Sequence, residues 1–435
     1  MHGWTGFWAP RHKCRETNDK EGTSVTLPLV RQQLPVAAPA RVLACGAWLK
    51  NTACLLEGDA VWMSPLHGDL ATPQARNALL ESVARLQQQA TGPIEAVAHD
   101  LHPDFFSTDV ALQLAQKLGV SAIAVQHHHA HIAQVQAQHA PDQALLGWAL
   151  DGVGLGADHT SWGGELLLVQ DARFQRIAHL PPLLLPGGDV AARETWRMAL
   201  AALYRLGHSS DQILSIAAST HLRAGKLAPV PPVSLKGIGN MLQRGLNCPS
   251  TTSAGRWFDA VAGLLGVCWW QCEEAQAAIA LERLAADWLG ENAAPVLDEE
   301  LIAAGLDLNM LLRRLVSLMV STRPDASNYS SIQGLAAALF HEALADALAR
   351  CAIKAAQQHQ ISAIAFSGGC FFNRILRTRM QDALTQAGLC VLMPRESAFG
   401  DAGLALGQAW VAAQTLHAER TEKHNEHSTR NSLCV

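Results

Sequence analysis

The sequence predicts an α/β protein of two lobes facing one another across a central cleft, with a helical insert in the second lobe. Three observations lead there. Strand and helix patterns recur in two successive sets along the 435 residues, and each set opens on strands and closes on alternating helix and strand. Glycine-rich segments, DGVGLG (151–156) and FSGG (366–369), fall at the ends of core strands. With 49% hydrophobic and 16% charged residues, the chain can bury a core large enough for two or three structural units.

Residues 1–35, containing RHKCRETNDKEGTS, are polar and patternless and predict a disordered N-terminal segment. The first lobe is expected over 36–143. RVLACGAWL (41–49) and AVWMSPL (60–66) read as strands around the turn EGD, followed by the helical pattern TPQARNALLESVARLQQQA. Strand IEAVAHD (94–100), a helix and the apolar strand SAIAVQ (121–126) complete a β-β-α-β-α-β order. The second lobe is expected over 144–416. It opens with ALLGWALDGVGLG (144–156), GGELLLVQ (163–170) and RFQRIAHL (173–180). A mostly helical insert over about 189–360 follows, in which the prolines of KLAPVPPVSLKG (226–237) forbid a continuous helix and mark a loop. AIAFSGG (363–369), a helix, CVLMP (390–394) and a last helix from about 401 close the lobe. Residues 417–435 are polar and predict a disordered tail.

Charge and cysteine content exclude several classes. Lys plus Arg number 33 against 38 Asp plus Glu, with no basic run, so no nucleic-acid partner is expected. No apolar run approaches the ~18 residues of a membrane helix and the opening lacks a signal h-region, so the expectation is a cytoplasmic protein with no membrane partner. The ten cysteines are scattered without a CxxC pair, which disfavours a zinc ribbon or redox motif. Cys268 and Cys272 could share a helix face, but no partner ligands follow at finger spacing.

The chemistry-bearing stretch is VQHHHAH (125–131). On a helix, His127 and His131 are four apart and aim at one point, while His128 and His129 point elsewhere as capping or solvated residues. Taken alone, the cluster fits either a ligand pair for a metal or a set of helix-cap histidines. Asp151, after the apolar LLGWAL, and Asp401, in FGDAGLALG, lie at ends of core elements and would complete a mixed nitrogen and oxygen site. In DGVGLG, Gly152 and Gly154 are expected to form a tight turn whose N–H groups can bind phosphate. Gly368 and Gly369 of FSGG precede a helix expected to start near Phe371, whose N-terminus favours an anion. A hairpin turn explains the first glycine run equally well; the two together favour a nucleotide clamp. Asp259, four after Gly255, could accept ribose hydroxyls and Asn373 could read a base edge, with helix cap or surface residue as the competing reading. Cys370 follows SGG and is read as a packing thiol or a covalent group carrier. No GxxxxGK followed by Ser or Thr is present, which disfavours a P-loop NTPase.

With HDLHPDFFST (99–108), VQHHHAH, LDGVGLG, WGGELL, LPGGD, SAGRWFDAVAGLLG, FSGGCFFNRIL and GDAGLALGQA in order, the chain resembles the HypF-type carbamoyltransferases of NiFe-hydrogenase maturation. The resemblance runs over about 26–415 and concerns their C-terminal part. It implies the duplicated actin/Hsp70-like (ASKHA) fold and a divalent metal, iron or zinc, on His127, His131, Asp151 and Asp401. It implies adenylate contacts near Gly152, Gly154, Gly255, Asp259, Gly368, Gly369 and Asn373. It further implies that carbamoyl phosphate and ATP give carbamoyl-AMP, whose carbamoyl group moves to the C-terminal cysteine of HypE. The family's acylphosphatase, zinc-segment and YrdC-like domains have no counterpart in this sequence, so the expectation is that the adenylate comes from a YrdC-like protein partner or else from the chain's own nucleotide site. Val153, Ala275 and Ala402 depart from the family pattern and bear on nucleotide geometry. A small-molecule O-carbamoyltransferase and a non-catalytic scaffold binding HypE or HypF are the competing readings. A sugar kinase of the same fold gives the histidines no task.

Overall fold

The computed structural model describes residues 27–139, 143–219, 230–321 and 328–432. The first half runs β1 (Val30–Gln33), β2 (Val42–Ala44), β3 (Cys54–Glu57), β4 (Ala60–Met63), α1 (Pro73–Gln89), β5 (Ala96–Asp100), α2 (Phe106–Leu118), β6 (Ser121–Val125) and α3 (His127–His139). The second half begins with β7 (Leu145–Leu155), β8 (Ser161–Gln170), β9 (Arg173–His179) and β10 (Leu183–Leu184). Its insert contains α4 (Val190–Arg193), α5 (Thr195–Arg205), α6 (Ser210–Ser219), α7 (Pro232–Arg244), β11 (Ser250–Thr251) and α8 (Ala254–Leu264). The insert continues with α9 (Gln276–Glu291), α10 (Glu299–Ala304), α11 (Asn309–Ser321) and the long α12 (Tyr329–His359). The chain then returns through β12 (Ala363–Ser367), α13 (Arg374–Gln386), β13 (Cys390–Leu392) and α14 (Leu404–Ser432).

The duplication is visible in strand order. The first sheet is ordered β1-β4-β3-β2-β5-β6; in the second, β9-β8-β7-β12-β13 repeats the β4-β3-β2-β5-β6 pattern, with β11 and β10 added beside β8. In both, the first three strands are antiparallel and the last two join in parallel. Parallel strands covered on both faces read as unbroken apolar runs, as LLGWAL in β7 does, every residue of it buried. Helix ends follow local chemistry. Thr72 caps α1 by accepting from the Ala75 N–H, Pro73 occupies the first turn, and Gly119 ends α2 in the left-handed region at φ 69°.

The two sheets are coupled by exchanged helices. α3 lays Ile132 and Val135 on the second sheet, in a core with Ala149, Leu167 and Ala365. Its other face, Ala130, Ala133 and Ala137, packs with Leu404, Ala405 and Trp410 of α14, and α14 in turn covers Val42, Ala44, Ala96 and Ala98 of the first sheet. The approach is so close that a Cβ on Gly407 would lie 1.8 Å from the Ala130 carbonyl oxygen.

Several expectations change here. Residues 1–26 lie outside the described residues, but 27–35 are not patternless chain: β1 pairs antiparallel with β4. The short run CLLE is a strand of its own, β3, so EGD turns from β3 into β4. β6 is an edge strand with only Val125 buried, although SAIAV is apolar. The segment PVSLKG belongs to α7, since proline is tolerated in a helix's first turn. The polar stretch after 417 continues α14 to Ser432, because it is rich in helix formers and lacks Gly and Pro, and an Arg420–Glu95 ion pair ties it to the first lobe.

Gly407→Ala is expected to lower stability by about 1–3 kcal/mol, the usual range for overpacking. Gly290→Ala, in α9 with open space around the added methyl, is expected to raise it by about 0.5–1 kcal/mol. Denaturant unfolding of both variants checks the contrast.

Candidate metal centre and cleft

Gln126 starts the site. Its side-chain oxygen accepts from the His129 N–H at 2.8 Å, so α3 begins abruptly at His127 with its first turn at the base of the cleft. All four histidines are buried, which corrects the expectation that His128 and His129 cap or solvate the helix. His128 takes a hydrogen bond from the Gln126 amide at 2.9 Å, and His129 packs against Phe174 with ring centroids 4.9 Å apart. Burial, helped by the charge of His127, holds His128 well below the usual imidazole range, and burial drives His129 down to about 3, so both are neutral packing groups.

His127 and His131 do converge with Asp151 and Asp401. One ligand atom from each lies within 4.8 Å of the others, and among the described residues no other such group occurs. His127 Nε2 is 3.2 Å from Asp151 Oδ2 and 3.6 Å from Asp401 Oδ1; His131 Nε2 is 3.5 and 3.7 Å from the same atoms. Ligands at ~2.0–2.2 Å from an ion sit roughly 3–3.5 Å apart, so the edges fit a divalent cation with little adjustment. His131 Nε2 is buried and has no hydrogen-bond partner, an orphan that a metal ion would satisfy. Two imidazoles with two carboxylates suit iron or zinc and leave coordination positions open.

Residues the sequence reading missed orient the ligands. Asp100, at the end of β5, accepts from His127 Nδ1 at 2.8 Å and fixes Nε2 toward the centre, and Ser367 does the same for His131 through Nδ1 at 3.2 Å. The signal for Asp100 was its position in HDLHPD at a strand end, and for Ser367 its position in FSGG, also at a strand end. The Gly369 N–H donates to Asp151 Oδ1 at 3.2 Å. Asp401 is placed from the first lobe, where Thr52 donates to the Ala402 carbonyl at 2.8 Å. Burial alone would lower His127, but Asp401 and Asp100 outweigh it and lift it well above its usual value; His131 is raised in the same way by Asp151 and Asp401. Burial likewise pushes up the Asp151 carboxyl, and the two histidines overcome it, leaving Asp151 well below the usual range.

The glycines act differently from the expected turn. Residues 151–155 stay in β7, with a register shift between Leu150 and Gly154, and the chain reverses further on, over 157–159. Gly154 is required for space: a Cβ there would lie 2.6 Å from His128 and 2.9 Å from His127. Gly255 lets α8 approach β7, where its Cβ would meet Gly152 Cα at 3.0 Å. Ser253 caps α8 and donates to the Gly152 carbonyl at 2.6 Å, fastening that approach. Gly368 adopts φ 99° and lies against Leu150, and Gly369 opens a 3-10 turn, Gly369–Phe372, where a helix near Phe371 was expected.

Above the four ligands lies a cleft of about 760 Å³, part of it open to solvent, walled by Gly152, Gly369, Lys50, Arg193 and Arg256 with Asp151 and Asp401 at its base. Gly154, Gly255, Gly368, Asp259 and Asn373 are not among its lining residues. Asp259 is buried and grips Arg256 at 2.7 Å and the Gln271 amide at 2.9 Å, and burial pushes its carboxyl up to about 6 against the Arg256 charge. Asn373 caps α13 by accepting from the Leu376 N–H, and its amide faces His341 at 2.9 Å. Burial, with the charge of Asp151 adding, holds the Cys370 thiol well above its usual value and therefore protonated, which disfavours it as a carrier.

Residues 147–408 match the family described as carbamoyltransferase, Kae1-like domain, second subdomain, and 37–138 match the HypF Kae1-like domain. The chain is 50% identical over 390 residues to a carbamoyltransferase HypF homolog of Cupriavidus necator, covering 88% of this chain and 94% of that protein. It is 42% identical over 391 residues to carbamoyltransferase HypF2 of the same organism, covering 86% of this chain and 46% of that one. The crystal structure of full-length HypF in the phosphate- and nucleotide-bound form aligns with a TM-score of 0.73 at 30% identity, covering 89% of this chain and 48% of that one. The structure of T. kodakarensis HypF aligns with a TM-score of 0.77 at 27% identity, covering 90% and 49%. The chain thus spans nearly all of one relative and about half of the others. No helix among the described residues is long and apolar enough to cross a membrane.

His127→Ala and His131→Ala are each expected to abolish stoichiometric metal uptake, measured by elemental analysis of untagged protein. Asp100→Asn is expected to weaken metal affinity about 10–100-fold while keeping all four ligands. Because protons on the raised His127 and His131 compete with a cation, affinity is expected to fall as pH is lowered from 8 to 6; a flat profile from competition titrations would count against histidine ligation.

Proposed function

The chain belongs to the HypF family of carbamoyltransferases, and from that premise we propose that it moves the carbamoyl group of carbamoyl-AMP onto a cysteine thiol of a HypE-type partner. The observation that supports this most is the convergence of His127, His131, Asp151 and Asp401 at the base of a cleft that also presents the cations Lys50, Arg193 and Arg256. A divalent metal held by these four side chains would polarise a carbonyl or phosphoryl oxygen as a Lewis acid. Arg256, steadied by Asp259, and Arg193 offer guanidinium groups to the adenylate phosphate. Asp259 and Asn373 serve behind the cleft in this reading, Asp259 by holding Arg256 and Asn373 by capping α13.

The acceptor sulfur forms a bond to the carbamoyl carbon while the bond from that carbon to the phosphate oxygen breaks. AMP leaves with the electron pair, and the thiol proton passes to solvent. A second cavity of about 500 Å³, walled by Trp48, Phe105 and Leu155, also reaches His127 and Asp401, giving an acceptor a route to the same centre. A YrdC-like protein is the source of the adenylate in this scheme.

Incubation of the protein with carbamoyl-AMP, iron or zinc, and a HypE-type acceptor is expected to give a thiocarbamate detectable by mass spectrometry. His131→Ala should lower the rate by more than about 100-fold, and Cys370→Ser should leave it within a few-fold of wild type. A carbamoylated hydroxyl in place of the thiocarbamate would favour a small-molecule O-transferase, and no transfer at all would favour a scaffold.

A further inference from the structure

Lys50 and Glu274 face each other across the cleft mouth. Lys50 stands in the first lobe just after Leu49, Glu274 in the insert just before α9, and their charged atoms are 2.7 Å apart. Both line the cleft together with Asp151, Asp401 and Gly369. Each partner is set by an unusual backbone. Lys50 itself has φ 42°, with its N–H donating to Asp69 Oδ1 at 3.0 Å, and Ala275, beside Glu274, has φ 57°. Side-chain-bearing residues rarely adopt this left-handed region unless the surroundings enforce it, and such positions cluster at ligand clamps. The contrast with the other cations is informative. Arg256 is held by the buried Asp259, whereas Lys50 and Glu274 are 44% and 48% exposed, so their pair is weakly stabilising and easily exchanged.

Burial alone would lower the Lys50 ammonium; Glu274, with Asp401 and Asp151 beyond it, more than restores it, so Lys50 stays charged. An ammonium that lines the cleft beside Asp151 and Asp401 and is paired, among the described residues, with a half-exposed carboxylate is suited to an incoming phosphate, which brings stronger acceptor oxygens than Glu274. We propose that Lys50 is the first lobe's ligand for the phosphate of the adenylate, and that Glu274 is a placeholder which that phosphate displaces. The assignment rests on the adenylate reading given under the proposed function.

Calorimetric titration of the 435-residue chain with AMP, and with adenosine as the probe lacking phosphate, tests it. Lys50→Met is expected to weaken AMP at least about tenfold and leave adenosine unchanged, and Lys50→Arg to retain most of the AMP affinity. Glu274→Gln is expected to tighten AMP several-fold, because the competitor's charge is gone. A pair that only straps the lobes together predicts the same direction for Lys50→Met and Glu274→Gln, and that result overturns the proposal. Unchanged AMP affinity in both variants overturns it too. Absence of AMP binding by the wild-type chain would instead defeat the nucleotide reading itself, and this inference with it. Circular dichroism and the metal content of each variant separate these outcomes from misfolding.

Discussion

The close contact of α3 with α14 is the constraint on which the rest of the molecule depends. Each of these helices follows the last strand of one half and packs on the sheet of the other arrangement: α3 on the second sheet, α14 on the first. At their crossing the spacing is set by alanines and by a glycine whose missing side chain lets a backbone carbonyl approach, Gly407 against Ala130. The histidines at the start of α3 are therefore held against β7, which carries Asp151, while the turn before α14 delivers Asp401. A metal site assembled from three separate segments acquires its precision from helix packing, and no loop has to close to form it.

The electrostatics of the centre follow from its depth. Two imidazoles and two carboxylates share a site where burial penalises every charge, and each survives because the opposite charge lies within 4 Å. Asp100, almost fully buried behind His127, adds a further negative charge that a pair of neutral imidazoles would not call for. Three carboxylates around two imidazoles make a centre whose charge balance improves when a divalent cation enters. The same surplus of negative charge would repel an adenylate phosphate, and the cations on the cleft wall above are the compensation.

Much of this was legible in the sequence, for identifiable reasons. The helical spacing of His127 and His131 expresses local geometry, and local geometry survives folding; Asp151, expected to follow a strand, instead sits at the register shift inside β7, and Asp401 opens the turn before α14. What misled was context. DGVGLG looks like a turn because glycines usually mark one, yet here they make room: Gly154 for two imidazoles and Gly255 for a helix end. SAIAV looks buried because it is apolar, but whether a strand is central or at the edge is decided by pairing distant in sequence. Asp259 and Asn373 were read as ligand contacts because a lone polar residue in an apolar stretch has two explanations. In the structure Asp259 engages Arg256 and Gln271, and Asn373 engages Leu376 and His341, partners that lie far away in sequence or depend on where a helix begins. The helix beyond residue 417 was hidden because it is polar on all sides, which periodicity cannot distinguish from unstructured chain.

The register shift in β7 shows how a regular sheet can host an irregular centre. Up to Leu150 the strand pairs with β8 residue for residue, and pairing resumes at Gly154 with Trp162. Between them lie Asp151, Gly152 and Val153, freed from the ladder that would otherwise dictate the direction of each side chain. An aspartate held in an unbroken ladder would have its direction fixed by alternation, since Ala149 faces α3 and Leu150 faces the insert core. The bulge relaxes that alternation where one carboxylate must reach two imidazoles and the Gly369 N–H together. The Ser253 hydroxyl lies between the carbonyls exposed by the interruption, sharing its one hydrogen between Gly152 at 2.6 Å and Asp151 at 2.9 Å, and so joins α8, the source of Arg256, to the same irregular segment. Any change that straightened β7 would thus displace a metal ligand and a cleft cation at once, which ties the two halves of the proposed chemistry to a single backbone feature.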